Sequence, residues 1–304
     1  KLSKKKLYFC KFNFRNDCMM LSFKPIKVTV VVFSFLFVSN IVYSQNILPE
    51  TPYETTDVNS IRAELDKGPH FTAFKDNNGL IGTTIGSKPT GQNSDAKYQL
   101  SVMQRFTDSN LLWDTHFFFQ FTLTSYLNVF EPSFPLHDIS INPGFGLNKY
   151  LFKDGKYIGQ GYIMLEHESN GFDDSKSRSW NKLSVAATVQ MTRNWEFQAK
   201  AWIPIIDGRY SQHILRYQGL GFVASNFSTN NKRLNLSMMF TPTYRSRIGV
   251  NSQFELNCRI LRKQPVYAIM QYYNGYGENL LDYDVYKSRI RFGFAFKPSD
   301  FNRF

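Results

Sequence analysis

His167 and Ser169 stand two residues apart in LEHESNG, and Asn181 follows in SRSWN, fourteen positions after the histidine. A serine hydroxyl is a poor nucleophile until a base takes its proton, and an imidazole base needs a third group to fix its tautomer and ring orientation. Asparagine in the third place offers a neutral carbonyl oxygen, which orients the ring without adding a charge that is costly to keep ionised beside hydrocarbon. Spacing alone proves little: His-x-Ser is a common accident, and a hydrogen-bonded rim histidine is the plainer reading of it.

The elements that must position this trio alternate with period two. Ile163, Leu165, His167 and Ser169 share one face of a strand, opposite Tyr162, Met164, Glu166 and Glu168. On the next arm Asn181, Leu183, Val185, Ala187, Val189 and Met191 oppose Lys182, Ser184, Ala186, Thr188 and Gln190. A hairpin between the arms brings Asn181 alongside His167. The trio therefore lies on the apolar faces, which is the wrong side for a soluble enzyme and the right side for a site that opens onto lipid.

Twelve candidate strands follow in all, over 79–86, 97–106, 113–128, 138–150, 157–170, 180–193, 195–205, 215–228, 232–245, 249–260, 264–276 and 287–297, several with clear apolar and polar faces and 215–228 less clean. In the last of these Ile290, Phe292, Phe294 and Phe296 oppose Arg289, Arg291 and Lys297. A polar lumen inside a lipid-facing wall explains such faces better than a soluble sandwich, in which every inward charge needs a partner. The expected fold is all-β, a twelve-stranded antiparallel transmembrane β-barrel. Short turns are expected on the periplasmic side and long loops outside, after the first, third, fifth and eleventh strands. That polarity puts His167, Ser169 and Asn181 at the outer-leaflet end, with the loop holding Ser133 on the same side. Trp180 and Trp195 are expected in the two aromatic girdles, and His70, His116, His137 and His213 in loops or at the rim.

The formal charge is +12, but residues 1–44 carry eight of the 36 Lys and Arg and one of the 24 acidic residues, so the remainder is only weakly basic. That balance, with no basic-aromatic motif, gives no ground for a nucleic-acid partner. Lys24 and Lys27 precede the apolar run Val28 to Val38, which reads as a secretory signal cleaved near Ser44 and Gln45, with Met19 or Met20 as the start. The expected division is 1–44 upstream residues and signal, 45–70 a periplasmic pre-barrel segment with a short helix over Asn59 to Lys67, and 71–304 the barrel. Cys10 and Cys18 leave with the signal and Cys258 is alone, so no disulfide framework exists. Mean hydropathy is −0.34, as barrels with alternate polar residues also give. Terminal Phe304 is of the kind found in outer-membrane barrels.

HESNG followed by SRSWN, with ten positions from His167 to Ser177 and fourteen to Asn181, closely resembles the signature of the outer membrane phospholipase A (phospholipase A1) family. YNGYGENLLDY, Tyr273 to Tyr283, resembles its second block, and AKYQLSV at Ala96 to Val102 and SFP at Ser133 to Pro135 fall where its strands and loops should. The resemblance implies a calcium-dependent serine hydrolase of the bacterial outer membrane. Its substrates would be membrane phospholipids and lysophospholipids, cleaved at either glycerol position. It makes Ser169 the nucleophile, His167 the base and then acid, and Asn181 the orienting partner. It also implies Ca2+ held by the Ser177 side chain, the Phe172 carbonyl and Ser133 of an opposing subunit, in an active homodimer. The family usually has Arg at the position of Phe172, a change that a main-chain ligand tolerates. Asp173 and Asp174 read as a solvated loop pair. The family's dimer-face Gln has no clear counterpart, since Gln120 falls on the lumen side. Two other readings stay open: a non-catalytic, porin-like barrel, and a lipopolysaccharide deacylase or acyltransferase.

Overall fold

The computed structural model describes residues 57–205, 211, 213–244, 248–261 and 264–297. The expected signal, the start of the pre-barrel segment and Phe304 lie outside the described residues.

Thirteen strands form one antiparallel sheet: β1 (Phe71–Ala73), β2 (Asn77–Thr84), β3 (Ser94–Arg105), β4 (Thr115–Leu127), β5 (Leu136–Lys153), β6 (Lys156–Ser169), β7 (Ser179–Thr192), β8 (Trp195–Ile205), β9 (Gly221–Ser228), β10 (Leu234–Tyr244), β11 (Ile248–Arg259), β12 (Val266–Gly275) and β13 (Lys287–Phe296). Each of β2 to β13 pairs with its sequence neighbours, and β13 pairs back onto β2, which closes a twelve-stranded barrel. Short β1 continues the line of β2 along β3, interrupted at 74–76. There Phe74 turns into the lumen, against the rings of Phe118 and Tyr162.

Alternation decides which side faces what. Ile163, Leu165, Leu183, Val185, Phe292 and Phe294 are exposed on the outer wall. Between them, Glu166, Lys182, Ser184, Lys200, Gln271 and Arg291 point inward and are buried. A wall apolar outside and charged inside is stable only with lipid around it, and closure leaves no unpaired edge within the hydrocarbon. Strands of 10 to 14 residues span roughly 33–46 Å at about 3.3 Å per residue, enough to cross when tilted.

Most of the inward charges are paired. Lys200 Nζ lies 2.7 Å from Glu166, which also accepts from Ser184, and Lys297 Nζ is 2.5 Å from Asp76. Arg291 bridges Asp95 and Glu278. Both ends of the lumen are covered. At the end opposite the His167–Asn181 pair, helix α1 (Val58–Asp66), N-capped by Asp57, buries Ile61 and Leu65 against Tyr150. Arg105 holds the helix's C-terminal turn through the Asp66 and Gly68 carbonyls. At the other end, the short helix α2 (Ile214–Gln218) packs Ile214 on Trp180, Leu280 and Tyr283.

Three expectations change. The eighth barrel strand begins at Gly221 and not near Leu215, because 214–218 coil into α2, which ends at Gly219 with φ 68°. Trp180 is not a girdle residue. It shares the inward row with Lys182, is 1% exposed, and its Nε1 donates to Glu168 at 3.0 Å. His116 lies at no rim but is buried in the lumen beside the Tyr150 ring. Trp195, by contrast, is exposed, at the start of β8.

Candidate active site

The register of β6 on β7 sets the site. Glu166 faces Lys182, His167 faces Asn181 and Ser169 faces Ser179. Side chains directly opposite on one sheet face are close enough to touch, and His167 Nδ1 lies 2.8 Å from Asn181 Oδ1. An amide oxygen only accepts, so Nδ1 is the protonated nitrogen of this contact, which leaves Nε2 as the nitrogen able to act as a base. Ser169 follows on the same outward face, and its Oγ accepts the Gly171 N–H at 3.2 Å. All three stand at the end of the barrel that carries the longer loops, on the wall that bears Leu165 and Leu183.

Sequence reasoning missed what lies behind this face. Glu168, between the two outward residues, turns into the lumen. It accepts from Ser140 Oγ at 2.8 Å, Trp180 Nε1 at 3.0 Å and Lys182 Nζ at 2.9 Å. This carboxylate ties β5, β6 and β7 together beneath the His–Asn pair. Asn142 adds a donor from β5 to the His167 carbonyl at 2.8 Å. The signal was present in the parity of Glu168, Trp180 and Lys182, all opposite to the outward residues.

Loop 170–178 folds over the end of β6 around Asn170, which is 1% exposed. Its amide donates to the Lys176 carbonyl at 2.9 Å, and its Oδ1 accepts the Phe172 and Arg178 N–H groups at 3.4 and 2.9 Å. Other loop carbonyls are engaged as well: Arg178 Nη1 donates to those of Ser175 and Ser177, and the Asp173 and Asp174 carbonyls accept from Lys176 and Ser177. Among the described residues no protein donor reaches the Phe172 carbonyl or engages Ser177 Oγ. Those two oxygens are the ones the motif assigns to a cation. Ser133 is not on this loop. It sits between β4 and β5, two strands along the same rim, with φ 69°. Asp173 and Asp174 are exposed and form no ion pair among the described residues, as a solvated loop pair would. Gln120 is buried in the lumen.

Loop 276–286 covers the lumen mouth beside the site. His137 Nε2 is 2.6 Å and Lys287 Nζ 3.2 Å from Asp282 Oδ2. The hydrogen bond from His137, reinforced against burial by Lys287, holds the Asp282 carboxyl well below the usual carboxylate range.

The phospholipase A1 family model matches residues 69–296, the whole barrel. The chain belongs to the phospholipase A1 family. Among curated relatives, phospholipase A1 of Proteus vulgaris is 29% identical over 130 residues, covering 42% of each chain. That of Escherichia coli K12 is 27% identical over 127 residues, again 42% of each. The matched stretch thus spans about two-fifths of those relatives. A putative phospholipase A1 of Neisseria meningitidis matches 72% of this chain and 59% of its own length at 22% identity. Among solved structures, outer membrane phospholipase A from Escherichia coli superposes with TM-score 0.66 at 20% identity, covering 75% of this chain and 99% of that one. The Salmonella typhi outer membrane phospholipase dimer with bound calcium gives 0.67 at 21%, covering 79% and 98%. At these identities the structures share the barrel fold with this family member.

Proposed function

We propose that this chain is a calcium-dependent phospholipase of the bacterial outer membrane. It would hydrolyse acyl esters of phospholipids and lysophospholipids at both glycerol positions, with its site toward the outer leaflet. The observation that carries this reading is the 2.8 Å contact between His167 Nδ1 and Asn181 Oδ1 on the lipid-facing wall, with Ser169 next on the same row.

In this reading Ser169 Oγ attacks the ester carbonyl as His167 Nε2 takes its proton. The imidazolium formed is held in orientation by Asn181. Collapse of the tetrahedral intermediate expels the glycerol oxygen, which recovers that proton from His167 and leaves an acyl-Ser169 ester. Water, deprotonated by the same nitrogen, then releases the fatty acid. An acyl chain reaches Ser169 directly from the bilayer, because the residue stands among exposed Leu and Ile side chains.

Calcium takes oxygen ligands, and the unengaged Phe172 carbonyl and Ser177 hydroxyl fit that chemistry. Those residues would hold the ion, with Ser133 supplied by a second copy of the chain in an active homodimer. Bound there, the cation supplies positive charge for a developing oxyanion. The Salmonella typhi relative, a dimer with bound calcium, supports this assignment. A porin-like role is disfavoured by the paired charges that fill the lumen and by the covers at its two ends.

The test is hydrolysis of a defined phospholipid by the purified protein in detergent, with calcium and with chelator. Calcium-dependent release of fatty acid is expected, lost in Ser169→Ala. Hydrolysis that survives in Ser169→Ala removes the assigned nucleophile.

A further inference from the structure

Asp138, at the outer end of β5, is 0% exposed, yet it makes no ion pair among the described residues. Other carboxylates facing the lumen, Glu166, Glu168, Asp95 and Glu278, are each met by a Lys or Arg. A buried carboxylate lacking a cation is costly unless donors surround it. Asp138 Oδ2 accepts the Leu281 N–H at 2.9 Å, and Oδ1 faces Asn170 Nδ2 at 3.5 Å. One acceptor-only group therefore joins two loops. Leu281 belongs to loop 276–286, whose Tyr283 ring also lies under the Arg178 guanidinium at 5.6 Å. Asn170 is the hub of loop 170–178: its amide donates to the Lys176 carbonyl and its Oδ1 accepts the Phe172 and Arg178 N–H groups.

Resting on the functional reading above, we propose that Asp138 is a positioning residue for the cation loop. Through Asn170 it would hold loop 170–178 in the shape that presents the Phe172 carbonyl and Ser177 Oγ to a divalent cation, and it would brace that shape against loop 276–286. This gives the YNGYGENLLDY block a role at the site although none of its residues belongs to the Ser–His–Asn row. The chemistry makes Asp138→Asn informative. Asparagine has one acceptor and one NH2 group, so it meets only one of the two donors and sets an N–H against the other.

The experiment titrates calcium into the full-length protein in detergent micelles by calorimetry, and follows hydrogen exchange of the 170–178 amides without calcium. It compares wild type, Asp138→Asn and Asp138→Ala. Loss of a group that orients ligands typically weakens metal affinity by about 10- to 100-fold. A weakening of about tenfold is expected in Asp138→Asn, with faster exchange across 170–178 and an equal shift in the calcium needed for half-maximal hydrolysis. Should the alanine variant fail to fold, the asparagine variant decides alone. A folded Asp138→Asn protein that binds calcium as wild type does, with unchanged exchange, overturns the positioning role and leaves the phospholipase reading intact. A wild-type protein that binds no calcium and hydrolyses without it overturns both.

Discussion

At the scale of single residues, the account assigns different duties to three side chains on one wall, so their removal has different costs. Ser169→Ala would take away the proposed bond-forming atom. Hydrolysis is expected to fall by a factor on the order of 10^4 or more, with stability changed by less than about 0.5 kcal/mol, as for a surface hydroxyl. Asn181→Ala removes the acceptor 2.8 Å from His167 Nδ1 and leaves base and nucleophile in place. It is expected to retain measurable turnover, above that of Ser169→Ala in the same assay. The trio was legible in the sequence because parity fixes which residues share a strand face, and HESNG and SRSWN put all three on one. Trp180 and His116 were misjudged because residue type was given more weight than parity. Trp180 adjoins Asn181 and so had to point the other way; His116 belongs to the inward row of Phe118 and Gln120.

At the scale of elements, β6, β7 and β8 carry charge on the side that is invisible from the site. Lys200 and Glu166 are 4% and 1% exposed, so deleting one leaves an uncompensated ion in the lumen. Lys200→Met is expected to cost about 3–5 kcal/mol in denaturant unfolding from lipid vesicles. Adding Glu166→Gln to it is expected to recover much of that loss. Loop 276–286 is expected to respond to pH. Because the folded carboxyl of Asp282 is depressed below its ordinary value of 3.8, its contribution is complete above that value and is lost as pH falls below it. Protection of the 276–286 amides from hydrogen exchange is thus expected to persist at pH 5 and to fail only below about pH 3.8. Asp282→Asn is expected to weaken protection already at neutral pH. Strand boundaries were readable to within a few residues because each alternation has two sides. The start of the eighth barrel strand was not, because Leu215 to Gln218 alternates like a strand, and what coils it is the distant contact of Ile214 with Trp180 and Leu280.

At the scale of the whole molecule, a closed wall with an apolar outside would, in the proposed reading, turn an enzyme inside out: substrate would arrive through the bilayer, and the interior would serve as scaffold. The lumen is packed around Phe74, Phe118 and Met164 and cross-linked by ion pairs. Planar bilayers containing the protein are accordingly expected to show no porin-like conductance, and large stable channels would contradict the occluded interior. The barrel class was legible from twelve alternating segments and their loop lengths. The covers at its ends were not, because α1 and α2 reach their places through contacts such as Arg105 with the Asp66 carbonyl and Ile214 with Tyr283, which span long stretches of chain. The central claim is that Ser169 is the nucleophile on the lipid-facing wall. Its most direct test is to treat the calcium-loaded protein with an acyl-chain organophosphorus fluoride, which marks activated serines, and to locate the adduct by peptide mass spectrometry. The account predicts a single adduct on the peptide bearing Ser169, absent when His167 is replaced by alanine or calcium is chelated. Labelling at another serine, or hydrolysis that continues after Ser169 is fully modified, would contradict it.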